Sequence, residues 1–469
     1  MSKLTLLFKQ GAYFSTGVLL SRIFSAIAFI IMARSVGPAD FGLYASLWVI
    51  LEVTMTLSES GMTTGIKRDG SRNHQVLPVL LGNTLLTKAI ISVIITALAF
   101  GYFLILQQNE SVKELLFPLT GSACFLLFAE PFFAALQVKQ QQKIIAMLQV
   151  GKSFLLLSGF TAFSLIKVDV SLFLWFQTLL NCLYIIIIYY TCCLFVNIKF
   201  NISLLFQQYL GAFSFGIANI LYVVYTKMPL LALTYFASNK EVGFFASAYR
   251  FIELFFIIAA AACNNAFLPA LFKVYKSNKE YFFSICHKIQ VLFSVLGIIF
   301  SAMIYVFGEY IIIFLQGEEY RPAVQALQIM SWSVMLNMAG LPSSISIIAS
   351  DHMRMFKYFQ LYAVGFVFTA SLFVIKPYGF LGASYTICTL WMILLLFYFY
   401  YASYKHFFNL DNILSLLMLP TGLTVATAFF VKNSEFPLLI EFFLFFFIIS
   451  LVWMLTFFYK KKTIKELFI

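Results

Sequence analysis

The sequence predicts an all-helical membrane protein that crosses the bilayer many times. Of its 469 residues, 62% are hydrophobic and only 11% are charged, and 57 are phenylalanine. The mean hydropathy is +0.93. A soluble core of this length cannot bury so much apolar surface, so lipid must cover part of it.

The spans can be placed by the length of their apolar runs. A helix needs about 20 predominantly apolar residues to cross about 30 Å of hydrocarbon. Windows of this kind predict fourteen transmembrane helices, near residues 11–33, 41–62, 78–106, 115–137, 144–166, 172–196, 206–236, 243–269, 289–315, 322–349, 355–375, 381–403, 411–431 and 437–459. Prolines at 229, 269, 342 and 420 indicate either broken helices or ordinary kinks within these spans.

The basic residues predict the orientation. With a cytoplasmic N-terminus, nineteen of the 31 Lys and Arg residues fall in inside segments and seven in outside loops. Cytoplasmic loops of membrane proteins carry this excess of positive charge. We therefore expect both termini and the segments 63–77 and 270–288 to be cytoplasmic. The net charge of +12 is then explained by topology, and no nucleic-acid partner is expected.

Five basic residues fall inside the predicted spans, where a cation costs from a few to more than about ten kcal/mol unless it has a partner or faces a wet cavity. Such residues are candidates for a functional site, here one that binds an anion. The substrate-binding candidates are Arg22, Lys88, Lys152, Lys227 and Arg250.

Three acidic residues within spans are candidates for ion coupling: Glu130, Glu52 and Glu253. Glu130 precedes Pro131, where a kink frees backbone carbonyls and can expose the carboxylate to water. A partnership with Lys88 or Lys152 would explain Glu130 equally well. Arg250 and Glu253 stand at i and i+3 on one helix, so a structural ion pair is the alternative for them.

Little in the sequence points to catalysis, a cofactor or a metal. Residues 146–153 (AMLQVGKS) end like a phosphate loop, but the first glycine is missing and no strand precedes them. The histidines at 74, 287, 352 and 406 fall in predicted inside loops without metal-ligand spacing. The outside loops hold about ten residues or fewer, which disfavours a glycan polymerase or ligase, since we expect these enzymes to carry a sizeable external loop. A transporter without enzymatic activity is therefore the main prediction, and a membrane glycan polymerase or ligase stays as the alternative outside transporters.

An internal repeat divides the chain. Residues 40–46 (DFGLYAS) resemble residues 241–247 (EVGFFAS) at an offset of 201 residues. Six helices therefore look duplicated, and an even number places both copies in parallel orientation with a substrate cavity at their interface. The predicted domains are two six-helix bundles, 1–205 and 206–408, followed by two further helices in 409–469.

One segment resembles a family signature. Residues 33–44 (ARSVGPADFGLY) are similar to the "aR-x-lGp-x-x-fG-x-Y" motif after the first helix of Wzx-type polysaccharide flippases, and residues 377–383 (PYGFLGA) match a later family position. The resemblance implies the V-shaped fold of the multidrug, oligosaccharidyl-lipid and polysaccharide exporter superfamily, which is the MATE-like fold. It also implies that an undecaprenyl-diphosphate-linked O-antigen or capsule repeat unit is moved across a bacterial inner membrane by alternating access.

The sequence departs from that family at one position. Many relatives carry an acidic residue in the seventh helix where this chain has Lys227, which makes the interior more basic. The expected partners are the lipid-linked oligosaccharide, the bilayer and other polysaccharide assembly proteins. A cation-coupled drug exporter of the same fold is the alternative transporter, although its cationic substrates would favour acidic rather than basic cavity residues.

Overall fold

The computed structural model describes residues 3–59, 61–105, 110–350, 352–405, 407, 410–433, 441, 443–450 and 452. Over these residues the protein is helical and contains no strand. Within this described part of the chain, ten helices are long and apolar enough to cross a membrane. Two of them, of 57 and 52 residues, are each long enough for two crossings. The prediction of an all-helical multi-pass membrane protein is confirmed, whereas the count of fourteen spans stays a prediction.

The chain divides into two compact units, residues 1–243 and 244–469. The sequence-based division at residue 205 remains a prediction, but helix α7 packs against α1, α2 and α3 within the first unit. The helices of this unit are α1 (Lys3–Glu59), α2 (Met62–Arg72), α3 (Leu77–Ile105), α4 (Glu110–Val138), α5 (Gln142–Ile166), α6 (Val170–Cys193) and α7 (Leu205–Phe236), and helix α8 (Asn239–Ala262) begins here.

Helix α1 contains the first two predicted spans, separated by a break at Gly37. Gly37 has φ 81° and ψ 171°, a conformation that glycine adopts without the steric cost that a Cβ would bring. Pro38 follows at the start of the second half, where its missing N–H and fixed φ suit a helix N-terminus. The predicted outer loop between these spans is therefore a sharp break within one continuous element.

The glycines of the repeat pack against one another's segments. A Cβ on Gly42 would collide with the carbonyl oxygen of Asn239, and a Cβ on Gly243 would collide with the carbonyl oxygen of Pro38. Each glycine thus lies on the carbonyl four residues before the glycine of the other copy. This reciprocal contact explains why the repeated segments both carry glycine at this position.

Helix α3 fixes the connection that follows α6. The Asn83 side chain donates to the carbonyl of Asn201 at 3.0 Å and accepts from its N–H at 2.9 Å. The N–H of Lys199 donates to the carbonyl of Pro78 at 3.1 Å. Because Asn83 is fully buried, these bonds satisfy polar groups that would otherwise be costly in the interior.

The second unit begins within α8 and continues through two π-helical turns. Its elements are the remainder of α8, a π turn (Cys263–Phe267), α9 (Leu268–Ser277), α10 (Lys279–Gln316), α11 (Ala323–Ala349), α12 (Met353–Ala370), a second π turn (Ser371–Ile375), α13 (Lys376–Tyr404) and α14 (Leu410–Lys432). Helix α13 is broken at Gly379, which has φ 55°. This break lies in the segment 377–383 that carried part of the family resemblance.

Helices α10 and α11 form the central pair of the second unit. The buried side chain of Gln290 on α10 donates to the carbonyl of Ala339 at 2.6 Å and accepts from Ser343 at 2.8 Å on α11. Helix α14 packs on α10 through an apolar cluster that includes Val306 and Val431. The predicted thirteenth span coincides with α14, and the fourteenth lies mostly outside the described residues.

Two local expectations, both about predicted inside loops, were wrong, and of the two alternatives for the prolines the structure does not contain broken helices at α7, α11 and α14. The segment 63–77 was expected to be a loop, but α2 occupies most of it and buries Met62 and Ile66 at a spacing of four residues. The segment 270–288 is also largely helical, and His287, expected to be solvated, is only 8% exposed on α10. The helix breaks lie at Gly37 and Gly379, while helices α7, α11 and α14 continue through their prolines.

Candidate functional site

Helices α1 and α5 pack closely and bring two of the predicted cations together. A Cβ on Gly17 of α1 would collide with the Cβ of Ala146 on α5, so the two backbones run in close contact. Further along, the Ser25 hydroxyl donates to that of Ser153 at 3.1 Å. Between these contacts lie Arg22 and Lys152, and the positive charge of Arg22 acts on Lys152.

Helix α6 completes this arrangement with an aromatic ring. The Lys152 Nζ lies 4.7 Å from the ring centroid of Tyr184, within the range of a cation–π contact. Tyr184 is itself buried, and it belongs to an apolar cluster centred on α4 that includes Phe133. The charge of Glu130 on α4 also acts on Tyr184. Lys152 therefore contacts α6 through Tyr184, and Tyr184 in turn packs on α4.

The charge balance at this point is unusual for a membrane span. Within the part of the chain that the structure describes, neither Arg22 nor Lys152 has a carboxylate partner within ion-pair distance. Each cation at bilayer depth costs at least about 2.5 kcal/mol, and the charges of Arg22 and Lys152 also repel each other. An anion bound between them would offset both terms. We call Arg22 and Lys152 the cation pair.

Lys227 and Arg250, by contrast, are neutralised within the protein. The Lys227 Nζ on α7 lies 3.0 Å from the Glu52 Oε1 on α1, and the two side chains are 13% and 31% exposed. On α8 of the second unit, an Arg250 nitrogen lies 3.7 Å from a Glu253 oxygen at i and i+3. The fifth cation, Lys88 on α3, is only 1% exposed. The structure thus distinguishes Lys227 and Arg250, which form ion pairs with carboxylates, from the cation pair.

Comparison with known proteins places the chain in a family. A sequence profile of the polysaccharide biosynthesis protein family matches residues 7–275, more than half of the chain. The chain belongs to this family. All five embedded cations and both repeated glycines lie within the matched region. No curated protein matches the chain in sequence.

Solved structures with the same fold are transporters. The lipid II flippase MurJ in an inward closed conformation has a TM-score of 0.74 and 14% identity, with 96% of this chain and 99% of that chain covered. A multidrug resistance MATE transporter of the MOP superfamily in an outward-facing conformation has a TM-score of 0.60 and 16% identity, covering 85% and 95%. A MOP superfamily transporter from Pyrococcus furiosus has a TM-score of 0.58 and 14% identity, with 85% of this chain and 95% of that chain covered. At these identities the likeness establishes the fold, which is the one that the sequence resemblance implied.

Sequence reasoning did not identify Tyr184, the aromatic residue of the site. Tyr184 is one of 25 tyrosines, and nothing in its immediate sequence distinguishes it from the others. Its position becomes visible only when α5 and α6 are packed, because Lys152 and Tyr184 lie on different helices. The spacing that predicts helix faces carries no information about which faces meet.

A second charged cluster, also missed, lies in the second unit. Glu309 on α10 binds Lys432 of α14 at 2.7 Å and Arg321 at 3.1 Å. Arg321 forms a further pair with Glu318 at 2.8 Å, in the connection between α10 and α11. The guanidinium of Arg321 lowers the pKa of Glu318, mainly through their hydrogen bond. The carboxylate of Glu309, shared by Arg321 and Lys432, ties α14 to α10.

Proposed function

We propose that this protein is a flippase for an undecaprenyl-diphosphate-linked oligosaccharide, an O-antigen or capsule repeat unit. It would carry this lipid from the cytoplasmic to the outer leaflet of a bacterial inner membrane by alternating access. The proposal is supported by membership of the polysaccharide biosynthesis family and by a fold shared with a lipid II flippase.

The cation pair is the observation that carries the proposal. A lipid diphosphate presents two adjacent anionic phosphates, and its head group must leave bulk water to cross the bilayer. Arg22 and Lys152 offer two cations on closely packed helices, near enough for their charges to interact, and neither is in an ion pair with a carboxylate of the described residues. Arg22 can bind phosphate oxygens through two N–H groups, whereas Lys152 acts as a point charge. The two positive charges of the cation pair therefore match the two negatively charged phosphates of the head group in sign and in number.

The remaining predicted residues have supporting roles in this proposal. Lys227 is paired with Glu52, so an incoming anion would compete with that carboxylate for the ammonium. This competition makes the Lys227–Glu52 pair a candidate for coupling substrate binding to an ion. Glu253, Glu130, Arg250 and Lys88 are retained as candidates for ion coupling and for further substrate contacts. A cytoplasmic location of both termini follows from the distribution of basic residues.

A complementation experiment tests the cation pair. We expect Arg22→Ala and Lys152→Ala, each and combined, to abolish surface glycan and to make lipid-linked repeat units accumulate on the cytoplasmic leaflet. Protein abundance in the membrane should stay at the wild-type level, since no ion pair of the protein is broken. Lys143→Ala, which removes an exposed lysine from the start of the same helix α5, is the matched control. Normal surface glycan from a full-abundance double variant would overturn the proposal.

A further inference from the structure

We propose that Tyr184 is a positioning residue of the cation pair: its ring holds the Lys152 ammonium at a fixed place, so that the pair selects a lipid diphosphate over a lipid monophosphate. This inference rests on the proposed function, since it assigns a substrate preference to the same site. The observation behind it is the 4.7 Å separation between the Lys152 Nζ and the Tyr184 ring centroid.

The ring provides a contact that a carboxylate could not. A carboxylate beside Lys152 would neutralise the ammonium and compete with an incoming phosphate. The face of an aromatic ring attracts a cation through its quadrupole but carries no net charge. Lys152 is therefore held while its positive charge remains available to an external anion. Its remaining N–H donors are free of a carboxylate within the described structure.

Tyr184 is itself fixed, which a positioning residue requires. It is 7% exposed and packs within the α4–α6 core, with its ring 6.1 Å from that of Phe133. Lysine has four rotatable side-chain bonds, and an unheld ammonium would sample many positions. Contact with the rigid Tyr184 ring restricts the Lys152 ammonium to one position and so fixes its place relative to Arg22. Two cations at a fixed separation can engage two linked phosphates together, whereas a single phosphate gains little from the second cation.

Binding measurements on the purified full-length protein in detergent micelles test this role. The probes are undecaprenyl diphosphate and undecaprenyl monophosphate, and the readout is the ratio of their dissociation constants. We expect Tyr184→Leu to weaken diphosphate binding by about 3- to 30-fold, the range of a desolvated cation–π contact, and monophosphate binding by less. Tyr184→Phe keeps the ring face and should preserve the preference for diphosphate.

A graded series separates positioning from packing. Replacing Tyr184 with phenylalanine analogues that carry one, two and three ring fluorines withdraws electron density at nearly constant volume. We expect the preference for diphosphate to fall stepwise along this series, whereas a purely structural ring would give a flat response. Phe173→Leu removes another buried ring of helix α6, one that packs on Phe160 and not on Tyr184, and should leave the preference unchanged.

The outcomes distinguish this inference from the proposed function. A flat fluorine series, or a Tyr184→Leu protein with the wild-type preference, would overturn the role of Tyr184 while leaving the cation pair in place. Diphosphate binding that persists undiminished in the Arg22→Ala, Lys152→Ala double variant would instead remove the site itself. If Tyr184→Leu does not fold, the fluorinated proteins decide the question, because they preserve the size of the side chain.

Discussion

Removing one partner of the Lys227–Glu52 ion pair should destabilise the first unit by a measurable amount. The pair joins α7 to α1 across 3.0 Å. In an effective dielectric of about 20 the Coulomb attraction at that distance is about 5 to 6 kcal/mol, most of which offsets the desolvation of the two ions. What matters for Lys227→Met is the uncompensated charge left on Glu52.

The exposure of the two side chains sets the size of that effect. Breaking a fully buried pair costs about 3–5 kcal/mol, but Glu52 is 31% exposed and solvent relieves part of the penalty. We therefore expect Lys227→Met to lower the stability of the folded state by about 2 kcal/mol. Lys227→Glu should be worse, because it places two carboxylates together. The variant Lys227→Met with Glu52→Gln should recover most of the loss.

Thermal unfolding in detergent micelles and abundance in membranes are the assays. The charge-swapped protein, Lys227→Glu with Glu52→Lys, should regain abundance because the pair is rebuilt in reverse. Lys143→Met is the control for loss of a lysine without a partner change. Wild-type stability of Lys227→Met, or a charge swap that is no more abundant than Lys227→Glu alone, would refute the assignment of this pair as structural.

Two further predictions follow from contacts in the structure. Gly42→Ala and Gly243→Ala should each lower the thermal midpoint in micelles by more than Gly151→Ala does. A Cβ at Gly42 or Gly243 would overlap backbone, and such overpacking typically costs about 1–3 kcal/mol, whereas a Cβ at Gly151 meets nothing within 4 Å. Equal midpoints would contradict the reciprocal contact. Because Arg321 lowers the pKa of Glu318, this pair contributes stability above the ordinary carboxyl pKa of 4.5 and loses it as the pH falls through the lowered value. Thermal midpoints measured from neutral to acidic pH should therefore fall less in Arg321→Ala than in the wild type, by a small amount because both side chains are exposed.

The helices were predictable because membrane spans are specified by local composition. Lipid selects for about 20 apolar residues in succession, and this signal needs no knowledge of the neighbours. Helix α2 escaped the same method because its composition is polar. Only Met62, Thr63, Ile66 and Gly70 are buried, and a hydropathy window averages them with the charged residues between them. The error concerns an amphipathic helix, whose signal is periodic rather than compositional.

The candidate site was only partly predictable, for a related reason. The Arg250–Glu253 pair lies at i and i+3, so the sequence itself raised the ion-pair alternative that the structure contains. The contact between Ser25 and Ser153 lies next to the cation pair on both helices, and it joins residues 128 positions apart. No periodicity links such residues, because their proximity depends on which helices pack together.

Embedded charge alone therefore identifies candidates without ranking them. All five cations were candidates for binding an anion, yet the carboxylates of Glu52 and Glu253 neutralise two of them. A cation with a protein carboxylate has its cost offset in the resting protein, so its presence in the membrane requires no ligand. The cation pair has no such carboxylate within the described residues, so a wet cavity or a bound anion has to offset its cost. Ranking by partner, which needs the packed structure, moves Arg22 and Lys152 ahead of Lys227 as the residues on which transport should depend.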